Sequence, residues 1–347
     1  MKRSFRLWIL LLLCLSAALF LIACKDALPP ESEVEVVALT LEPTASPSPT
    51  PTPTASPSPT PTPTPSPSPT PSGLCGGRFY PDRFTSGATI VRPGSYQNKQ
   101  VDVRVTVTSD NLQTFQNTAS YFVVDIYVQD VTLLRTAAAR GDFSEKRRAK
   151  VSEMAEANDA IVAISGDYYS HPDNNGIVFR NGELYRDDLD RTDICVLYKD
   201  GTMQTYLYNS FDLDEILAND PWQIWSFGPA LLDENGNAQT DLRTNVGKPN
   251  PRCAIGYYEP GHYCFVVVDG RQSDWSWGLT MDDLSLLMHN LGCKVAYNLD
   301  GGSTAQLYFE GGIYNRPCHT DREISDIVYI AKATPAPTEE PTETDAP

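Results

Sequence analysis

Three short turns hold the residues best suited to chemistry. Ser165-Gly166-Asp167 follows the apolar run Ala160-Ile161-Val162-Ala163-Ile164. Asp269-Gly270-Arg271 follows Phe265-Val266-Val267-Val268, and Asn298-Leu299-Asp300-Gly301-Gly302-Ser303-Thr304 ends a third run that begins at Cys293. Each turn sets a carboxylate beside a glycine at the end of a predicted strand. A carboxylate in such a place can stabilise positive charge or take a proton. The glycine permits positive φ and lets backbone N–H groups approach a ligand closely. One Asp-Gly turn is most often only a turn, but three in one chain point to a site. The histidines His171, His262, His289 and His319 show no metal-ligand spacing. Acidic turns can hold Ca²⁺ through oxygen ligands, yet no EF-hand loop is present. No cofactor is therefore expected.

The elements that must position these turns read as a strand-rich domain with few helices. Val101-Asp102-Val103-Arg104-Val105-Thr106-Val107 alternates as a half-buried strand, and residues 121–128 form a second. The all-apolar run at 160–164 predicts a strand buried on both faces. Ile177-Val178-Phe179 and Leu184-Tyr185 flank Asn181-Gly182 as a hairpin. Residues 195–198 with 203–208, and 253–258 with 263–268, read as two further hairpins. A helix is expected over 143–158. A second opens at Thr280, with Asp283 as a capping partner, and carries the stripe Leu284, Leu287, Met288, Leu291 before Gly292. Strands are expected at 293–299, 305–309 and 324–330, and 266–299 as a β-α-β unit. Trp222, Trp225, Trp275 and Trp277 fall in loop-like segments. The fold class is α+β, with a mixed β-sheet core and a few helices in a single globular domain.

The two ends of the chain read differently. Lys2, Arg3 and Arg6 precede an apolar run at 7–23 that closes Leu21-Ile22-Ala23-Cys24. This resembles a bacterial lipobox, which implies a signal peptide over 1–23 and a lipid on Cys24. An uncleaved signal anchor is the alternative, and both leave the rest outside the cytoplasm. Residues 24–73 form a Pro/Thr/Ser-rich stalk, extended because proline fixes φ and nothing apolar can be buried, with a reach on the order of 100 Å. Residues 74–333 are the expected domain and 334–347 an acidic tail. The 347-residue chain carries a formal net charge of −17, which argues against nucleic acid and anionic lipid as partners. Beyond Cys14 and Cys24 lie Cys75, Cys195, Cys253, Cys264, Cys293 and Cys318. Outside the cytoplasm these allow disulfides, and the sequence picks no pairing among them. Buried thiols are the other reading.

The block from Cys293 to Thr304, with Asn298-Leu299-Asp300-Gly301-Gly302 at its centre, resembles the signature of the phosphodiester glycosidase family. Further matches follow in order: Ile164-Ser165-Gly166-Asp167-Tyr168-Tyr169, Pro251-Arg252-Cys253-Ala254-Ile255-Gly256, Val268-Asp269-Gly270-Arg271 and Ser325-Asp326-Ile327-Val328-Tyr329-Ile330. The resemblance spans about 101–330. It implies a hydrolase acting on a sugar whose anomeric oxygen is phosphorylated, through an oxocarbenium-like transition state. On that basis Arg252 and Arg271 are expected to hold the phosphate through bidentate guanidinium contacts. Asp300 and Asp269 are expected to stabilise the ring or activate water. Asn298, Gly301, Gly302, Ser303, Thr304, Ser165, Gly166 and Asp167 are expected to line the substrate. Trp275 and Trp277 can stack on a sugar or sit in the core. The two arginines can equally form structural ion pairs with Asp269 and Asp300. Where the family has Asn-Gly-Gly this chain has Ser165-Gly166-Asp167, and an Asp167 facing the substrate would repel phosphate unless a cation intervened. A non-catalytic glycan-binding surface lipoprotein on the same fold is the alternative reading.

Overall fold

Runs of residues apolar on both faces need cover on both sides, and three sheets stacked with helices supply it. The computed structural model describes residues 80–110, 118–171, 176–242, 247–320 and 322–333. The expected signal, Cys24, stalk, Cys75 and acidic tail lie outside the described residues. In chain order the strands are β1 (Ile90–Arg92), β2 (Ser95–Gln97), β3 (Val101–Asp110), β4 (Ala119–Val128), β5 (Leu134–Ala138), β6 (Ala160–Ser165), β7 (Val178–Arg180), β8 (Glu183–Arg186) and β9 (Ile194–Tyr198). They continue with β10 (Met203–Tyr206), β11 (Pro221–Trp225), β12 (Arg252–Glu259), β13 (His262–Val268), β14 (Val295–Leu299), β15 (Leu307–Phe309), β16 (Gly312–Ile313) and β17 (Asp326–Ala331). The α-helices among the described residues are α1 (Val151–Ala157), α2 (Leu213–Ala218) and α3 (Met281–Asn290).

The first sheet has seven strands in the order β1-β2-β3-β4-β13-β12-β14. The second is β10-β9-β11-β7-β8 and the third β16-β15-β6-β17-β5. The α+β class with a sheet core and few helices holds, but the sheets are antiparallel where a mixed sheet was expected: every pairing between these strands is antiparallel. The β-α-β segment is present in split form. Strands β13 and β14 run parallel, with β12 hydrogen-bonded between them and antiparallel to both.

The side-chain period of two explains why the central strands are apolar throughout. On β13, Phe265 and Val267 enter the main core shared with the third sheet, while Cys264, Val266 and Val268 lie in a second core with Leu284, Leu287 and Met288 of α3. Strand β12 divides in the same way, with Cys253 and Ile255 in one core and Ala254 in the other. Thr280 caps α3: its hydroxyl accepts from the Asp283 N–H at 3.1 Å and donates to the Asp283 carboxylate at 2.7 Å. Gly292 follows the helix at φ 81°. The Asn181-Gly182 hairpin turn has φ of 52° and 86°, both left-handed as a tight two-residue turn requires.

Two expectations change. The helix over 143–158 shrinks to Val151–Ala157. Asp142 turns back on Ser144, accepting from its N–H at 2.8 Å, and the Ala149 backbone is spent on a bridge to Ile324. Trp222 and Trp225 are not in a loop but in β11, both buried.

The segment Asn250-Pro251-Arg252, leading into β12, is gripped from three sides. A Cβ on Gly270 would lie 2.6 Å from Pro251 N, one on Gly278 2.2 Å from the Asn250 carbonyl oxygen, and one on Gly301 2.8 Å from the Pro251 oxygen. Asn250 and Leu279 exchange two backbone hydrogen bonds of 3.0 Å, and Gly302 N–H donates to Pro251 O at 2.8 Å. Gly278 also has φ +91°. Gly278→Ala is therefore expected to cost about 2–4 kcal/mol, from overpacking and left-handed strain together. Thermal unfolding of the variant beside the wild type checks it; an unchanged Tm would contradict the grip.

Candidate functional site

The ends of β12, β13 and β14 converge on a cleft of about 600 Å³. It is lined by Asn250, Arg252, Arg271, the run from Asn298 to Gly302, residues 191–193 and Phe227-Gly228-Pro229. The antiparallel register dictates this. Cys253 lies opposite Leu299 on one side and Val267 on the other, so the residues just beyond, Arg252, Asp300 and Asp269-Gly270-Arg271, gather at one edge.

Arg252 is 6% exposed. Its Nε donates to Leu279 O at 2.9 Å and Nη2 to Lys248 O at 3.1 Å, which fixes the fork. Burial, with the Arg271 guanidinium beside it, pushes its pKa down to about 10, so it stays charged at neutral pH. Arg271 Nε donates to Asn250 Oδ1 at 2.9 Å, and its guanidinium lies against Gly302, where a Cβ would come within 3.1 Å of Nη2. Arg271 has no carboxylate in ion-pair range among the described residues. Two adjacent guanidiniums in one cleft make a local anion site in a chain of negative net charge.

Asp300 sits at the floor, 9% exposed. Its N–H donates to Gly166 O at 2.9 Å. Burial pushes its carboxyl up to about 7, with the Thr304 hydroxyl and the Arg322 charge acting against that rise. Asp300 Oδ2 and the Oδ1 of neighbouring Asn298 have no protein hydrogen bond. Asn298 is held from its other end, with Nδ2 donating to Gly228 O at 2.7 Å. Two buried acceptors without a protein partner, on residues that line a polar cleft, are candidates for ligand hydroxyls.

The remaining expected residues fall behind this wall. Ser165 donates its hydroxyl to Thr304 O, and the Thr304 hydroxyl donates to Gly301 O at 2.6 Å. Ser303 adjoins them on a short turn at Gly302–Thr304. Gly166 is pressed against the Asp326 carboxylate, where a Cβ would lie 2.2 Å from Oδ2. Asp167 is fully buried and is not among the residues lining the cleft. It pairs with Arg180 Nη2 at 2.5 Å and accepts from Ser226 N at 3.0 Å. The cation that an acidic residue at 167 requires is thus present, beneath the site. Asp269 is not brought into the cleft. Its oxygens accept from Asn315 Nδ2 at 2.7 Å, Trp275 Nε1 at 2.8 Å and Arg316 N at 3.1 Å, so it braces a neighbouring loop. Trp275 is thereby tied to Asp269 and half-buried, while Trp277 is 45% exposed. The expected ion pairs between the two arginines and Asp269 or Asp300 do not form.

Arg180, Asp326 and the wall at 191–193 were missed as site residues. An arginine inside Ile177-Val178-Phe179-Arg180 was a signal, because a charge in an apolar strand needs a partner. Asp326 is 1% exposed, and burial, then the Asp167 carboxylate, push its pKa up. Among the described residues no group of three or more His, Cys, Asp or Glu side chains is arranged to hold a metal ion.

The Asp300 shift has a stability consequence. Its folded pKa of about 7 lies above the unfolded carboxylate value near 4, so between about pH 4 and 7 the native state holds the extra proton. Stability contributed by Asp300 therefore falls as pH rises through that window and stays lost above it. Asp300→Asn removes the cost. Its Tm relative to wild type is expected to rise from pH 4 to pH 7 and then level; a flat difference would contradict a buried, proton-holding Asp300.

Comparison with known proteins agrees with this geometry. The phosphodiester glycosidase family matches residues 158–331, about half of the chain. An SPbeta prophage-derived uncharacterized protein, YomE, of Bacillus subtilis strain 168 is 30% identical over 180 residues, covering 50% of this chain; the chain spans 28% of that relative's length. Among solved structures, the zebrafish N-acetylglucosamine-1-phosphodiester alpha-N-acetylglucosaminidase catalytic domain, auto-inhibited by its pro-peptide, superimposes with a TM-score of 0.57 at 20% identity, covering 67% of this chain and 84% of that one. A hypothetical protein from Synechocystis gives a TM-score of 0.53 at 13% identity, covering 67% and 62%. These two show a shared fold. With half the chain matched and the cleft built from the matched turns, the protein belongs to the phosphodiester glycosidase family.

Proposed function

We propose that the cleft hydrolyses the glycosidic bond of a sugar-1-phosphate diester in envelope or extracellular glycans. The observation that carries this reading is the neighbouring Arg252 and Arg271 guanidiniums lining one cleft with a buried Asp300 whose Oδ2 has no protein hydrogen-bond partner. The arginines take the phosphate oxygens. The bond between the anomeric carbon and the phosphate oxygen breaks, and the electron pair leaves on a phosphate monoester. Such a leaving group needs little help from a general acid, so the arginines supply most of the stabilisation. Asp300, ionised, stabilises the positive charge developing on the ring or takes a proton from the attacking water. The water's oxygen joins the anomeric carbon, giving free sugar. Asn298 Oδ1 accepts a sugar hydroxyl, and the Gly301-Gly302 backbone lets the ligand approach. Asp269, Ser165, Gly166, Asp167, Ser303 and Thr304 hold these groups in place rather than touch the sugar.

The relative in zebrafish is named for an N-acetylglucosamine 1-phosphodiester, which makes that class the first substrate to offer. The address is part of the same proposal. A lipid on Cys24 holds the domain at the outer face of the cell membrane on the 24–73 stalk. No helix of the described residues is long and apolar enough to cross a membrane.

The test is turnover of a panel of sugar-1-phosphate diesters by the wild-type chain and by Asp300→Ala. Free sugar is expected from the wild type, with a loss of at least about 100-fold in the variant, and kcat/KM rising with pH through about 7 as Asp300 ionises. A folded wild type that binds glycans and turns over none of the panel would support the non-catalytic reading. Cys24→Ser is expected to leave the membrane fraction; retention there would refute the lipid anchor.

A further inference from the structure

Strand β12 lies between β13 and β14, and at Gly256 it carries no side chain. Gly256 pairs with Cys264 on one side and with Ala296 on the other. The space above it is filled by two sulfurs and the Met288 methyl, which a Cβ there would also meet at 2.7 Å. A Cβ at 256 would lie 2.7 Å from Cys264 Sγ and 2.7 Å from Cys293 Sγ. The two Sγ atoms reach across the strand to within 3.6 Å of each other. Both residues are buried, Cys264 fully and Cys293 at 4% exposed. Among the described residues no other pair of cysteine sulfurs is in contact.

We propose that Cys264 and Cys293 are joined by a disulfide in the exported protein, a modification site that ties β13, which leads into the Arg271 turn, to the segment just before β14, which leads into Asp300, across β12, which opens at Arg252. The exported location is the one proposed above; the pairing itself rests on the geometry alone. A disulfide needs its sulfurs at about 2.0 Å, so the two thiols must still close on each other above the glycine. The oxidant is a disulfide donor, small or protein. One cysteine thiolate attacks the donor to give a mixed disulfide and release one donor thiol. The second cysteine thiolate displaces the other donor thiol and closes the bond. Two electrons and two protons leave the protein with the reduced donor. The contact with the Cys293 thiol, and then burial, push the Cys264 thiol well up in the folded protein, so exchange belongs to the newly exported chain before the core closes. That timing explains how a buried pair is oxidised at all.

The experiment refolds the reduced full chain in a mixture of reduced and oxidised glutathione, quenches with an alkylating agent after denaturation, and maps peptides by mass. The expected result is a peptide pair joined through Cys264 and Cys293, absent from Cys293→Ser. The loop closed spans 29 residues, so reduction, or the double Cys264→Ala and Cys293→Ala variant, is expected to lower Tm by about 5–10 °C. Both cysteines fully alkylated after refolding, or either one joined to another cysteine, would overturn the proposal. Because the refolding mixture supplies the oxidant, the result does not depend on the cellular address or on turnover.

Discussion

The cleft exists because three glycines let other backbone pass at a distance no side chain would permit. Gly270, Gly278 and Gly301 belong to separate segments, and each touches Asn250-Pro251-Arg252. That contact carries the functional geometry. It fixes where β12 begins and so where Arg252 points. It places Arg271, whose Nε is held by Asn250, and it sets the turn after Asp300 against Pro251. Backbone contacts of this kind are stiffer than side-chain contacts, because no rotamer can relax them. Two guanidiniums and a carboxylate that would otherwise attract and collapse into ion pairs are kept apart, each bonded to backbone or amide groups.

Behind that wall the protein tolerates a costly arrangement. Asp167, Asp326 and Asp300 are all nearly excluded from water, with Arg180 as the buried cation of the first two. Three ionised carboxylates against one guanidinium would be strongly unfavourable in such surroundings, so protons are retained and the pKa values of Asp326 and Asp300 rise. Gly166 links the layers: its N–H donates to Asp326 O and its carbonyl receives the Asp300 N–H. The acidic substitution at 167 is thereby part of the scaffold. Its charge is paired with Arg180, and it still acts on the cleft through Asp300, whose carboxyl it helps to push up.

Much of this was legible in the sequence, for physical reasons. Strands β6, β12, β13 and β14 announce themselves as apolar runs because both faces are covered, and the Gly-Asp turns at their ends mark where the covering stops. Helix α3 carries its own cap, stripe and terminating glycine. What failed were features decided at long range. The 143–150 segment has helical spacing, but the Ala149 backbone pairs with Ile324, far along the chain. Strand β11 begins at a proline and is short, so Trp222 and Trp225 read as loop residues. Asp269 sits in a turn like that of Asp300, yet Asn315 and Arg316 arrive from another segment and occupy it. No local pattern separates the two aspartates; only the strand register does.

The central claim is that Arg252 and Arg271 together form the phosphate seat of the cleft. The direct measurement is a calorimetric titration of N-acetylglucosamine 1-phosphate, with inorganic phosphate as a second probe, into the wild type, Arg252→Lys and Arg271→Lys. Each substitution keeps the charge and removes the fork. The account predicts binding that weakens about tenfold with either lysine and falls with added salt. Undiminished affinity in both variants, or no binding of either anion by a folded wild type, would contradict it.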